Sequence, residues 1–426
     1  MKRRIFLKNT SILGAAGLLS PVLSSFAFKG QKVRVAAIGV NGMGWSNLSS
    51  IIKHPDVVCT AICDVDANVL KKRVGELAQK GITVQTYEDY RELLKSDDVD
   101  AVIIGTPDHW HALQMIDACK AGKHVYVEKP LGNSIEECDI MVAAAKKYKS
   151  IVQVGQWQRS QKHFSDAIQM VHSGKLGKIR LVKAWSYVGW KSEVPVVADT
   201  QPPVGVNYAM WLGPAKTRPF NANRFHFEFR WFWDYAGGLM TDWGVHMLDY
   251  ALLGMKVSEP RSVVSSGGKF AYPTDASETP DTLNTVYEFD DFNIIWEHTK
   301  GIVLGPYGKD HGVAFIGENG TLVLNRKGWE VIPEGNKMQA IALQQPADNG
   351  LDKHTTNFVE AIQKQDGALL NTPIEAGAHI AVFSQMGNIA YRVGKKIHWD
   401  AKKRKFDDQE ANALMKAKYH NGYRLV

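Results

Sequence analysis

The sequence predicts an α/β Rossmann domain, built on a doubly wound parallel sheet, followed by an α+β domain with a large, open and mostly antiparallel sheet. Three observations carry this expectation. Short apolar runs alternate with helical patterns over the first third of the chain. A glycine-rich turn follows the first run, and an acidic residue follows the second. Beyond about residue 155 the runs give way to alternating segments with turn signals. The chain has 426 residues, 45% apolar and 22% charged, enough for two or three domains with packed cores. Its 16 Phe and 12 Trp exclude disorder as the main state.

Residues 1–27, MKRRIFLKNTSILGAAGLLSPVLSSFA, read as an export signal: a basic start, a modest apolar stretch, then small residues. Gly14, Gly17, Ser20 and Pro21 break the apolar stretch, which falls short of the roughly 20 residues a spanning helix needs. Ser25-Phe26-Ala27 fits a small-x-small cleavage site, with no cysteine to take a lipid anchor. Arg3-Arg4-Ile5-Phe6-Leu7-Lys8 resembles the twin-arginine export signal, which implies a periplasmic or exported protein that folds around its cofactor before transport. The competing reading is an ordinary secretory signal with two chance arginines. Lys2, Arg3, Arg4 and Lys8 supply part of the formal charge; without them it falls from +7 to +3. With no basic stripe elsewhere, nucleic acid is not an expected partner. Cys59, Cys63, Cys119 and Cys138 lack disulfide or zinc spacing and read as buried thiols.

The first domain is expected over 28–155. Val33–Ile38 ends in Gly39-Val40-Asn41-Gly42-Met43-Gly44, a helix follows at 45–53, and Val57–Cys63 is a second buried run ending at Asp64. This order is the dinucleotide fingerprint, with the phosphates seated on backbone N–H groups at the helix start. Asn41 stands where the second glycine of G-x-G-x-x-G is usual, and Asn tolerates left-handed backbone better than most residues. Asp64, 20 residues after Gly44, is placed to accept the ribose hydroxyls and to repel a 2′-phosphate. Lys71, Lys72 and Arg73 lie too far along the next helix to neutralise it, so NAD is favoured over NADP. Further runs at Ala101–Ile104, His124–Val127 and 151–154, with helices near 67–80, 110–121 and 134–148, continue the parallel sheet.

The second domain is expected over 156–400. Strand-like segments fall at 179–187, Thr282–Glu288, 293–298, 313–316 and 321–324, with Glu318-Asn319-Gly320 marking a hairpin. Helical periodicity returns over 353–394. The tail, 401–426, begins with a charge-rich stretch read as solvated surface.

Three constellations could carry chemistry. Glu128-Lys129-Pro130 ends a parallel strand, where open α/β sheets bind ligands; Lys129 there is either a solvated loop residue or a cation for a developing alkoxide. Asp242, His246 and Asp249 share one helical face at i, i+4 and i+7 after the flexible Gly237-Gly238. An Asp-supported histidine suits proton transfer, although a core histidine and a metal site fit the same spacing. For Asp249 a capping or buttressing role is preferred. In Thr106-Pro107-Asp108-His109, Thr106 or Asp108 is expected to cap the next helix, and His109 is a candidate substrate contact. Seven of the 12 Trp fall between 157 and 243, suiting a sugar site as well as an aromatic core.

Together these motifs resemble the Gfo/Idh/MocA family of glucose–fructose oxidoreductases, inositol dehydrogenases and relatives, over essentially the whole chain after the signal. The combination of Glu128-Lys129-Pro130-Leu131 with Gly237-Gly-Leu-Met-Thr-Asp242-x-x-x-His246-x-x-Asp249 is the specific part. The resemblance implies a sugar pocket lined by the second domain's sheet, a homo-oligomer through that sheet, and no metal. It implies Lys129, Asp242 and His246 as the catalytic group. The cofactor set expected with it is Gly39, Asn41, Gly42, Met43, Gly44, Asp64, Thr106, Pro107, His109, Glu128 and Lys129; the substrate set is His109, Lys129, Trp157, Arg159, Asp242 and His246. The expected activity is NAD-dependent oxidation of a sugar hydroxyl, with His246 the preferred base and Asp242 orienting the imidazole or a neighbouring hydroxyl. Two alternatives stand beside it. One is an NAD-dependent glycosidase working by oxidation, elimination and reduction, whose relatives generally depart from the lysine at position 129. The other is a sugar-binding protein without catalysis.

Overall fold

The structure is a computed structural model that describes residues 32–425; the export signal read at 1–27 lies outside the described residues. The first domain runs β1 (Val33–Ile38), α1 (Met43–Ile51), β2 (Val57–Cys63), α2 (Ala67–Ala78), β3 (Gln85–Tyr87), α3 (Tyr90–Leu94), β4 (Ala101–Ile104), α4 (Asp108–Lys120), β5 (His124–Val127), α5 (Ile135–Tyr148) and β6 (Val152–Val154). The strands are parallel in the order β3-β2-β1-β4-β5-β6. Helices cover both faces, so β4 and most of β1 and β5 are buried without alternation, which is why they read as continuous apolar runs. The order reverses between β1 and β4, and that switch point opens the crevice at the carboxyl ends of the strands.

Helix starts follow local side-chain chemistry. Asp66 caps α2 by accepting from Asn68 N, and Ser134 caps α5 by accepting from Glu137 N. The cap expected for α4 is not found. Pro107 holds the cap position without a side-chain bond, Thr106 Oγ1 donates instead to Gln114 Oε1 at 2.7 Å, and Asp108 falls inside the first turn.

The second domain adds α6 (Lys162–His172), β7 (Ile179–Val188), α7 (Tyr208–Leu212), α8 (Val245–Met255), β8 (Ser262–Gly268), β9 (Thr282–Glu288), β10 (Asn293–Lys300), β11 (His311–Gly317), β12 (Gly320–Asn325), β13 (Gly328–Pro333) and β14 (Ile341–Gln344). It continues with α9 (Gly350–Lys364), α10 (Ile374–Val393), β15 (Ile397–Asp400), β16 (Lys405–Phe406) and α11 (Gln409–Leu414). Its ten strands form one open sheet, β14-β13-β12-β11-β7-β10-β9-β8-β15-β16, antiparallel except for the parallel β7–β10 pair. The hairpin at 318–320 joins β11 to β12, with Ile316 opposite Thr321. In β9 every second residue is buried, as a sheet covered on one face requires. Helix α10 packs on β8, α8 and α5, so one apolar cluster runs from Val127 and Val154 to Val245 and Phe383 across both domains.

The charge-rich stretch 401–410 is mostly solvated surface, as expected, but the tail as a whole is anchored. Residues 401–405 are exposed, but Phe406 and Ala411 are buried, and Tyr419 Oη donates to Glu137 Oε1 at 2.7 Å. The chain thus returns to the first domain at the first turn of α5. All four cysteines are free and buried, as read.

One close approach fixes the crevice. A Cβ on Gly44 would lie 1.9 Å from the Gly39 carbonyl oxygen, because α1 starts directly against the loops after β1 and β4. Gly44→Ala is therefore expected to lower unfolding free energy by about 1–3 kcal/mol or more. Gly75→Ala, on the open side of α2 with no atom within 4 Å of the new methyl, is expected to raise it by about 0.5–1 kcal/mol. Denaturant titration of the two variants checks both signs.

Candidate active site

A cavity of about 690 Å³ lies between the carboxyl edge of the parallel sheet and the second domain. At one end Gly39, with φ +78°, turns the chain out of β1, and Asn41, Gly42 and Met43 line the cavity at the N-terminus of α1. Gly44 does not face it; its part is the close packing described above. Nothing lies within 4 Å of a Cβ built on Gly42, so the backbone there is open to a phosphate group. Asp64 ends β2, its Oδ2 accepting from Val40 N at 2.9 Å and its Oδ1 from Asp66 N at 3.1 Å. Burial pushes its pKa up to about 6, against the pull of those backbone donors. Thr106, Pro107 and Glu128 also line the cavity, and Glu128 Oε1 accepts from Asn47 Nδ2 at 2.8 Å. These features fit a dinucleotide: a bare glycine turn at a helix start, and a buried carboxylate at the end of the neighbouring strand.

Two side chains not singled out by the sequence reading brace this end. Arg73 donates to Val40 O at 2.9 Å and to Asn41 O at 2.6 Å, and stacks on Trp45 at 4.5 Å. Its guanidinium is occupied with the loop backbone and Glu76. His226, from the second domain, accepts from Asn41 Nδ2 at 3.0 Å and donates to Asp66 Oδ2 at 3.2 Å. It therefore spans the two loops that flank this half of the cavity. His226 lies in an aromatic run, Phe225-His-Phe-Glu-Phe229, that reads as core.

At the other end, Lys129 follows β5 and forms a cis peptide with Pro130. Its Nζ donates to Asp242 O and to Asp242 Oδ1, both at 2.9 Å. Arg230 Nε donates to the same Oδ1 at 3.2 Å. Burial alone would raise the Asp242 pKa, but the charges of Lys129 and Arg230 outweigh it and hold the carboxyl ionised, below the usual range. His246 is pushed well below 6.5, first by burial and then by the Lys129 and Arg326 charges, so its ring is neutral; its buried Nδ1 has no partner among the described residues. Asp108 sits beneath this group, raised to about 7 by burial despite Arg230 and Lys129.

Among the described residues no hydrogen bond joins Asp242 to His246; Asp242 Oδ1 accepts instead from two cations of other segments. The chain winds as a π-helical turn over Met240–Gly244 before α8, so residues four apart there no longer stack as on an α-helix. Asp249 does not face the cavity either. It is buried and accepts from Arg159 Nε at 2.8 Å, a pair that also removes Arg159 from the substrate set. The preferred buttressing role fits Asp249. His109 is likewise displaced from both sets: α4 rotates it into a buried aromatic cluster, where Nε2 faces Trp211 O at 3.1 Å with Tyr235 alongside. Trp157 does line the cavity, with Trp190, Trp211 and Trp243, while Trp185 and Trp231 are fully buried core. Arg230 and Arg326 complete this end and had no motif to announce them.

A glycine-turn crevice at a sheet switch point, facing a lysine, a carboxylate and a neutral histidine, defines a dinucleotide-dependent oxidoreductase fold. The chain belongs to the Gfo/Idh/MocA oxidoreductase family. Residues 33–156 match the family's NAD-binding Rossmann fold and residues 169–425 its C-terminal alpha/beta domain. A glycosyl hydrolase family 109 protein of Shewanella sp. (strain W3-18-1) is 39% identical over 131 residues, which is 30% of this chain and 28% of that protein. Two solved structures share the fold. Levoglucosan dehydrogenase in complex with NADH has a TM-score of 0.66 at 19% identity, covering 86% of this chain and 99% of that one. The scyllo-inositol dehydrogenase from Lactobacillus casei, with bound NAD(H) and scyllo-inositol, has a TM-score of 0.63 at 20% identity, covering 86% and 99%. NAD is the cofactor of the Rossmann domain.

The raised Asp64 pKa gives a signed expectation. The carboxylate can accept from ribose hydroxyls only when ionised, so affinity for NAD is full above about pH 6 and falls as pH drops through that value. In Asp64→Asn the affinity is expected to be low and flat across the same window; fluorescence titration with the reduced cofactor measures both.

Proposed function

We propose that the protein oxidises a hydroxyl of a sugar or glycoside, the NAD held in the cavity accepting the carbinol hydrogen as hydride. The observation that carries this reading is the Lys129–Asp242 contact, which places an ammonium of one domain and a carboxylate of the other in the NAD cavity. Two of the three Lys129 protons are engaged by Asp242, and the third is free to bond the substrate oxygen and stabilise charge developing there. His246, neutral and lining the cavity, takes the hydroxyl proton. Asp242 stays ionised, anchors Lys129 and takes no proton itself. Trp157 and Trp243 offer apolar faces to the C–H side of a sugar ring.

Retention of the cofactor belongs to the same proposal. If residues 1–27 direct export by the twin-arginine route, the protein works where no free dinucleotide pool exists, and its NAD must be bound before transport. The His226 bridge from Asn41 to Asp66 supports such retention, since it crosses from one domain to the loops flanking the cofactor half of the cavity.

A second reading is favoured by the family 109 relative: a redox-neutral glycosidase, in which oxidation activates a neighbouring C–H for elimination before the sugar is reduced again. Release of free aglycone with no lasting change in nicotinamide absorbance would select it. For either cycle, Lys129→Ala is expected to slow turnover by about 10²- to 10⁴-fold while leaving bound NAD in place. Unchanged turnover in that variant would remove the scheme.

A further inference from the structure

We infer that Arg326 makes this a site for anionic sugars, those carrying a carboxylate or an ester sulfate. The inference rests on the sugar-oxidation reading above and narrows its substrate class. Arg326 follows β12 at the turn into β13 and lines the cavity together with Lys129 and His246. Its guanidinium lies over Trp243 at 4.7 Å and over Trp157 at 5.2 Å. Among the described residues its one side-chain hydrogen bond runs from Nη2 to Gln158 Oε1 at 3.3 Å, and its Nε is buried without a partner.

The other arginines of this region are matched. Arg73 has Glu76, Arg159 has Asp249, and Arg230 has Asp242. The carboxylates that reach Arg326 electrostatically are Asp242 and Asp310. Lys129 and Arg230 already hold Asp242, and Asp310 lies 2.9 Å from His311 Nδ1. Among the described residues, Arg326 forms no ion pair of its own. A largely desolvated cation without a counter-ion is costly, and a neutral sugar hydroxyl would leave that charge uncompensated. A carboxylate or sulfate on the substrate offsets it through charge-assisted hydrogen bonds. Stacking on two indoles restrains the plane of the guanidinium, so its edge N–H groups form a preset fork suited to a two-oxygen anion. Arg326 and the two indoles line the same cavity as Lys129 and His246, which puts the anionic substituent on the molecule being oxidised.

The test is calorimetric binding to the purified holoprotein of the methyl glycosides of glucuronate and galacturonate, of glucose 6-sulfate, and of the matched neutral methyl glucoside and galactoside. At least one anionic probe is expected to bind roughly tenfold or more tightly than its neutral match, the gain of a charge-assisted bond. Whether the uronates or the sulfate lead identifies the anion. In Arg326→Gln that ratio should collapse toward one; Arg326→Lys, which keeps charge without the fork, should recover it only in part. Cofactor content and circular dichroism establish that the variants are folded. Equal binding of charged and neutral probes, binding of none, or an equal weakening of all probes in Arg326→Gln overturns the inference. Nicotinamide absorbance recorded on the same samples separates the two claims. An Arg326-dependent anion preference with no redox change defeats the oxidation reading alone, while reduction by neutral glycosides with no such preference defeats only this one.

Discussion

The buried contact between Lys129 and Asp242 is the constraint on which the rest of the structure depends. It joins a residue at the end of a parallel strand to one in a π-helical turn 113 positions later, and so fixes how the second domain meets the first. Breaking a buried ion pair by removing one partner typically costs about 3–5 kcal/mol, because the other charge is stranded. Arg230 closes the arrangement from a third segment. Both cations bond Asp242 Oδ1, and no hydrogen bond joins the carboxylate to His246 among the described residues. The imidazole is then left neutral by burial and by neighbouring positive charge.

The cavity is therefore polarised along its length. The cofactor end offers backbone N–H groups, a helix N-terminus and the Asp64 carboxylate. The reacting end gathers Lys129, Arg230 and Arg326 around one ionised aspartate. Such a field favours electron-rich oxygen at the reacting end, whether as a developing alkoxide or as a substituent already charged. Fixed dipoles and charges of this kind need no reorganisation during reaction, which is what the π-helical turn and the buried Arg159–Asp249 pair secure. That pair ties the start of the second domain to α8, the helix that presents His246.

Much of this was legible in the sequence. The parallel strands were visible because burial on both faces leaves no polar alternation, and the glycine turn was confirmed by the strand and helix on either side of it. Lys129, Asp242 and His246 were found because their motifs are local. What escaped was set by tertiary geometry. His109 belongs to the same tetrad as Thr106, but the rotation of α4 turns it into the Trp211–Tyr235 cluster. Arg159 looks like a site residue singly, and only its pairing across 90 positions with Asp249, already read as a buttress, shows it to be structural. His226 and Arg326 sit in a loop and a turn without periodicity or motif, so their roles follow solely from what the fold brings near them. The charged stretch at 401–410 was legible as mostly solvated, whereas the contacts that anchor the tail beyond it carry no motif.

The most direct measurement is a single turnover with a glycoside deuterated at the carbinol carbon, followed by release of the bound cofactor at mildly alkaline pH and its mass analysis. The proposed convergence of Lys129 and His246 on that carbon beside the nicotinamide predicts one deuterium on the released dinucleotide from the native protein, and none from the Lys129→Ala or His246→Ala variants. Recovery of unlabelled cofactor from the native protein after the glycoside has been consumed, or undiminished labelling in either variant, would contradict it.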